Sequence, residues 1–346
     1  MTHTVKVSLS LQPIADINSM RRREFGSLLG GAMASWPVRP RAQQKPTLVI
    51  GFLGIGSAGE FAPAVGAFRE GLKDTGWIVG QNVAIEYRWA DGYLERLPAL
   101  VGDLVNRKVD LLATSGGAPA ALAAKSASST IPIVFEVGID PVARGLVASF
   151  ARPGGNLTGV AILTGELNPK RFDLLSELVP QASVIGLLVN QNNPLRERTM
   201  REIEDAARSK GKQLQVVKAG TDSEFETAFA SLVQLKVGAL LVGNDPYFFT
   251  QRGQLVELAA RHAIPAIYEW REFVVQGGLA SYGTSLTGMY RQFGAYAGRV
   301  LKGTKPADLP ILRPIKFELV LNVRTAKALG LAIPPSFLSR ADEVID

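Results

Sequence analysis

The chain contains no cysteine, which excludes disulfides, thiolate metal sites and lipid attachment through a cysteine. Histidine is nearly as scarce. Only His3 and His262 occur, so a nitrogen-ligated metal site lacks donors. A Ser-His-Asp triad would have to use His262, and no Gly-x-Ser-x-Gly elbow supplies its nucleophile. His262 falls at the end of a predicted helix before Ile264-Pro265, where a histidine meets the last helical carbonyls. The absence of a Gly-x-x-x-x-Gly-Lys-Ser/Thr loop argues against an ATPase, and no uninterrupted apolar run is long enough to span a bilayer.

A concentrated basic surface is also missing. The net charge of +7 on 346 residues is largely local, because Lys6, Arg21, Arg22, Arg23, Arg39 and Arg41 lie in the first 44 positions against Asp16 and Glu24. The remainder carries 32 basic and 29 acidic residues without a Lys/Arg cluster, which argues against binding to nucleic acid.

The basic amino terminus has the layout of an export leader. Arg21-Arg22-Arg23-Glu24-Phe25 precedes an apolar, Gly/Ala-rich stretch from Gly26 to Trp36, then Pro37-Val38-Arg39-Pro40-Arg41-Ala42. Arg22-Arg23-Glu24-Phe25 resembles a twin-arginine core and so points to the twin-arginine export machinery; Met20 stands before it as an alternative start. Pro40 occupies the place where an Ala-x-Ala exit wants a small residue. An exported chain without cysteine reads as periplasmic.

Beyond the leader the chain repeats itself. Val49-Ile50-Gly51-Phe52-Leu53, Gly80-Gln81-Asn82-Val83, Val109-Asp110-Leu111-Leu112 and Ile131-Pro132-Ile133-Val134-Phe135-Glu136 are answered in order. The second set is Val184-Ile185-Gly186-Leu187-Leu188, Gly211-Lys212-Gln213-Leu214, Val237-Gly238-Ala239-Leu240 and Ile264-Pro265-Ala266-Ile267-Tyr268-Glu269. Short β-branched runs separated by segments of helical periodicity predict two α/β lobes, each Rossmann-like with a parallel sheet. Such lobes bind ligands at the carboxyl ends of their strands, in the cleft between them.

The strand-end loops are therefore the candidate site. The first lobe offers Gly54-Ile55-Gly56-Ser57-Ala58-Gly59, Ser115-Gly116-Gly117 before an Ala-rich helix, and Glu136-Val137-Gly138-Ile139-Asp140. The second offers Asn190-Gln191-Asn192-Asn193-Pro194, Gly243-Asn244-Asp245-Pro246-Tyr247 and Glu269-Trp270-Arg271-Glu272. Free amides and hydroxyls at helix starts suit a carboxylate, whereas Asp140, Asp245 or Glu269 suits an ammonium. Any one of these residues is equally at home as a turn or helix cap. Tyr87, Trp89, Tyr247, Trp270 and Tyr282 lie near the same strand ends, where they can stack on a ring or pack the core.

Gly54 to Gly59 is formally Gly-x-Gly-x-x-Gly between a strand and a helix, which keeps a dinucleotide-dependent enzyme open as an alternative. The following strand carries Glu86 inside it and Arg88 near its end rather than a closing acidic residue. Ala151-Arg152-Pro153-Gly154-Gly155-Asn156 reads as a first crossover between lobes. The helical segment Ser285 to Gly303 and the later strand Ile315 to Val320 predict a return to the first lobe and a further crossing.

Several stretches resemble one family over about Thr47 to Asp346. They are Met20 to Phe25, Gly80 to Ala90, Arg152-Pro153-Gly154-Gly155-Asn156-Leu157-Thr158-Gly159, Lys316 to Val320 and Thr325 to Gly330. They look like the ABC-transporter substrate-binding proteins of the tryptophan/tyrosine-type group. The resemblance implies a type I periplasmic-binding fold with three hinge crossovers, no catalysis, no cofactor, and delivery of a small solute to an inner-membrane permease. It implies a first lobe of 47–157 plus 284–308 and a second of 158–283 plus 309–346, after a leader of 1–46. Carried over by position, it places ligand contacts at Ser57, Ser115, Gly116, Gly117, Asp140, Asn190, Asn244, Asp245 and Glu269. The expectation is a receptor for an amino acid, aromatic or similar, or a related carboxylate. A ligand-binding sensor shares the fold and differs only in its membrane partner.

Overall fold

The computed structural model describes residues 47–193, 195–313 and 316–346. The leader, with Arg22-Arg23-Glu24-Phe25, lies outside the described residues, as do Pro194 and Ile315. The first lobe runs β1 (Leu48–Gly54), α1 (Ala62–Asp74), β2 (Val83–Trp89), α2 (Leu97–Asn106), β3 (Leu111–Ser115), α3 (Ala118–Ala127), β4 (Ile133–Val137) and β5 (Leu157–Ala161). The second runs α4 (Asn168–Leu178), β6 (Val184–Val189), α5 (Arg196–Ser209), β7 (Gln213–Lys218), α6 (Asp222–Gln234), β8 (Ala239–Val242), α7 (Pro246–Thr250), α8 (Arg252–Arg261), β9 (Ala266–Tyr268), α9 (Arg271–Val275) and β10 (Ala280–Gly283). The chain then passes to α10 (Leu286–Leu301), which packs on α1, and back through β11 (Glu318–Asn322), α11 (Val323–Ala328), α12 (Pro335–Leu338) and β12 (Glu343–Ile345).

The first sheet has the order β2-β1-β3-β4-β5 and is parallel throughout. The second has the order β12-β11-β10-β9-β8-β6-β7, parallel except where β11 meets β10. Central strands read as continuous apolar runs because helices cover both faces. In β1, Ile50 and Phe52 face α1 and α10, where Phe68, Leu72 and Phe293 bury against them. Leu53 faces the opposite cluster with Leu104, Leu112 and Ala121.

One expected boundary moves. Ala151 to Asn156 does not cross between lobes; it leads into β5, which pairs with β4 and completes the first sheet. Residues 158–161 therefore belong to the first sheet rather than the second. Leu312 accompanies them: its N–H donates to the Gly159 carbonyl and its own carbonyl accepts the Ala161 N–H, both at 2.9 Å. Residues 309–312, expected in the second lobe, thus run along the first. The reason is visible in Gly159, where a Cβ would fall 2.0 Å from the Phe135 carbonyl oxygen. A five-residue strand containing that glycine has little apolar signature of its own. The last predicted strand shifts similarly, to Glu318–Asn322.

Candidate functional site

The strand ends of the two lobes meet at a closed seam. Phe61, the residue preceding α1, brings its ring to 5.2 Å from that of Phe249 in α7 of the second lobe. Phe61 also stacks on Trp89 at 6.2 Å, and Trp89 lies parallel to Tyr87 at 6.4 Å. The glycines of the first loop make this aromatic wall possible. A Cβ on Gly54 would stand 2.2 Å from the Trp89 ring, and one on Gly56 would stand 2.4 Å from the Phe61 ring. At Gly56, where the second glycine of a dinucleotide fingerprint lets a pyrophosphate approach the backbone, the Phe61 ring fills the direction a Cβ would take. Ser57 is likewise engaged within its loop, where its N–H and hydroxyl donate to Glu60 at 3.3 and 2.7 Å.

Ser115 ends β3, and its hydroxyl is hydrogen-bonded to the Tyr290 hydroxyl of α10. Gly116 and Gly117 follow with φ of 93° and 107°, the left-handed region that lets the chain turn into α3. The Gly116 N–H donates to Glu136 Oε2 at 3.1 Å. Glu136 is the only charged residue of β4, and it is 6% exposed. Burial pushes its carboxyl up to about 7; the Gly116 bond opposes that, and the charge of Glu269 adds to it. Glu269 comes from the end of β9 in the opposite lobe, so the seam brings two buried carboxyl groups within electrostatic reach.

Beneath Glu269, Arg171 of α4 is fully buried. Its Nε donates to the Tyr282 carbonyl and its Nη1 to Asn168 Oδ1, each at 2.7 Å. Asn168 Nδ2 in turn donates to Asn244 Oδ1 at 3.0 Å. Burial lowers the Arg171 pKa, and the Glu269 charge opposes that shift.

The remaining expected residues divide. Asp245 caps α7 by accepting the Tyr247 N–H at 2.8 Å, and it also accepts Asn190 Nδ2 at 3.0 Å and Asn193 Nδ2 at 2.7 Å. Asn190 accepts the Asn192 N–H at 2.9 Å. Asp140 Oδ1 accepts the N–H groups of Val142 and Ala143 at 2.8 and 3.1 Å. Asp140 and Asn244 also line a seam pocket of about 60 Å³, with Asn193, Glu166 and Arg198. Of the aromatics, Tyr247 bonds Asp222 and stacks on Phe225 at 5.9 Å. The Tyr282 ring lies 6.1 Å from Phe317, and Trp270 is buried at the start of α9. His262 ends α8 and stacks on Phe229 at 6.0 Å.

Arg171, Asn168 and Tyr290 escaped the sequence reading as site residues, and Glu136 entered it only as the start of a strand-end loop, not as a ligand contact. Glu136 had a usable signal, a lone carboxylate inside an otherwise apolar strand. Among the described residues, no group of three His, Asp or Glu side chains can hold a metal ion, and no helix is long and apolar enough to cross a membrane.

Two α/β lobes, their strand ends facing across a seam that carries paired carboxyl groups, define a solute-binding protein of the type I periplasmic-binding architecture. The chain belongs to the ABC transporter substrate binding protein family, whose model matches residues 58–345. It is 28% identical over 264 residues to a tyrosine-binding protein of Clostridioides difficile, covering 76% of this chain and 75% of the relative. Among solved structures it resembles a conserved domain protein from Vibrio cholerae at 25% identity and a TM-score of 0.78, covering 86% of this chain and 99% of the other. It also resembles an ABC domain from Streptococcus pneumonia in complex with L-Trp, at 25% identity and a TM-score of 0.77, covering 86% and 100%.

Proposed function

We propose that this protein is the periplasmic solute-binding component of an ABC importer and that its solute is an α-amino acid with an aromatic side chain. The observation that carries the reading is that Glu136 and Glu269 are both buried at strand ends of opposite lobes and act on each other electrostatically, with Glu136 bonded to the Gly116 N–H just before α3. Two buried carboxyl groups call for a cation between them. The first-turn N–H groups of α3, from Ala118 and Ala120, suit a carboxylate. Ammonium and carboxylate recognised side by side describe the backbone of an amino acid. The ring then falls to the wall of Phe61, Trp89 and Phe249, and the aromatic solutes named for two similar proteins favour the same class.

On this reading the protein binds without catalysing, and closure presents the loaded form to an inner-membrane permease. Export runs through the twin-arginine machinery, so changing Arg22 and Arg23 together to Lys should block periplasmic recovery. The solute class is tested by thermal shift of protein unfolded and refolded to strip carried-over ligand. An amino acid at one hundred times its Kd stabilises the fold by about 2.7 kcal/mol. A shift with NAD(P) and none with amino acids would refute the reading.

A further inference from the structure

Leu163 holds a backbone conformation that a leucine rarely adopts. Its φ of 51° and ψ of 39° lie in the left-handed region, where a residue with a Cβ is strained. The other non-glycine residues with positive φ among those described are Asp91, Lys108, Lys236 and Ala263, and each has a local reason. Lys108, Lys236 and Ala263 close the last turns of α2, α6 and α8, where a left-handed residue is usual. Asp91 stands in a turn and is of a type that tolerates the region. Leu163 ends no helix. It precedes a 3₁₀ turn, Thr164–Leu167, that leads directly into α4.

Its place in the chain supplies the reason. Just before it, the Ile162 N–H donates to the carbonyl of Val137 in β4 at 2.8 Å, and the Leu163 side chain is buried in the apolar cluster of the first lobe. Just after it, the Glu166 N–H donates to the Leu163 carbonyl at 2.9 Å. Then α4 begins at Asn168, whose amide is bonded to Asn244 in the second lobe, and packs on β8 and β9. The chain therefore passes from one lobe to the other over residues 163–167, held on both sides. At the second crossing, from β10 to α10, and among the described residues of the third, from Leu312 to β11, no residue other than glycine has a positive φ.

We propose that Leu163 is a strained pivot of lobe closure: the closed form holds it left-handed, the open form releases it, and the strain keeps the ligand-free protein from closing unaided. Such a conformation persists only where its surroundings over-determine it, and here the two lobes do so by fixing the chain before and after it. Hinge rotation is absorbed by the dihedrals of a few residues at a crossing, so the strain falls on the closed form alone. The solute must then supply the free energy that closure consumes, and its apparent affinity falls with the closed fraction of the free protein. The inference does not depend on which solute is bound.

Its test needs no solute. The chain has no cysteine, so Glu95→Cys and Ser223→Cys put one spin label on an exposed position of each lobe, beyond the carboxyl ends of β2 and β7. Double electron-electron resonance on the refolded, ligand-free full chain then reads the ratio of closed to open forms. Leu163→Gly, Leu163→Ala and Leu163→Val are compared in this background. Glycine adopts the left-handed region freely, alanine shares the penalty of leucine, and β-branched valine bears a larger one. Leu163→Gly should raise the closed-to-open ratio about fivefold over Leu163→Ala, and Leu163→Val should lower it about threefold. A residue that served only to pack would give the reverse order, because valine keeps most of the apolar side chain and glycine none of it. That reverse order, or one ratio for all three variants, would overturn the inference. Should the glycine or valine variant fail to fold, Leu163→Asn decides, since asparagine visits the left-handed region readily. It should close more than Leu163→Ala, and equality of the two would overturn the inference.

Discussion

Glu136 accepts the Gly116 N–H at 3.1 Å, which ties a carboxyl group of the strand β4 to the loop that opens α3. The bond favours the ionised form, yet burial outweighs it and the charge of Glu269 adds to the burial, so the carboxyl rises to about 7. Burial thus favours the protonated form of this carboxyl in the folded chain, and a cation placed beside it would favour the ionised form.

The pH effect has a definite sign. A carboxyl raised from 4.5 to about 7 in the folded state stabilises the fold fully below 4.5, and that contribution is lost as pH rises through 7. The loss amounts to roughly 3 kcal/mol. Urea unfolding of the ligand-free protein at pH 5 and pH 8 should show it, and Glu136→Gln should flatten the difference. Equal pH slopes in variant and wild type would remove Glu136 as its source.

Asp245 serves its own lobe. Its carboxylate satisfies the Tyr247 N–H and the amides of Asn190 and Asn193. Asp245→Ala should cost about 2 to 4 kcal/mol of ligand-free stability, because a helix cap and two buried amide partners are lost together. Chemical denaturation measures this directly. A large loss of solute affinity with unchanged stability would instead make Asp245 a ligand contact.

Gly54 exists for the Trp89 ring, which would collide with a Cβ at 2.2 Å. Gly54→Ala should destabilise the fold by about 1 to 3 kcal/mol through overpacking and alter the tryptophan emission. A protein of normal stability and emission after this change would mean that the ring is not seated there.

Phe249 closes the aromatic wall from the second lobe. Phe249→Ala should weaken L-tyrosine and L-tryptophan about tenfold by removing an aromatic contact, and leave L-alanine unaffected. Parallel titrations with the three amino acids check it; equal losses for all three would assign Phe249 to lobe closure alone.

Much of the architecture was legible in the duplication. β6 begins at Val184 and β9 lies within Ile264 to Glu269, as the repeated runs predict, and the loops expected to face the cleft stand at carboxyl strand ends. β5 was not legible, since Thr158 and Gly159 carry no apolar alternation and its place depends on β4 and on Leu312. The site was only partly legible. Ser115, Gly116 and Glu269 stand near Glu136, which the sequence places at the start of a loop although β4 runs on to Val137, and Arg171 follows Lys170 as any solvated helix charge does. Nothing local distinguishes a helical arginine that points under a sheet from one that points to water; packing of α4 on β8 and β9 decides it.

The most direct test is a crystal structure of the refolded chain with L-tyrosine. The account predicts the ammonium within hydrogen-bond distance of Glu136 and Glu269, the carboxylate at the start of α3, and the ring against Phe61, Trp89 and Phe249. Tyrosine bound with its ammonium away from both carboxyl groups, or absent from the seam at saturating concentration, would contradict it.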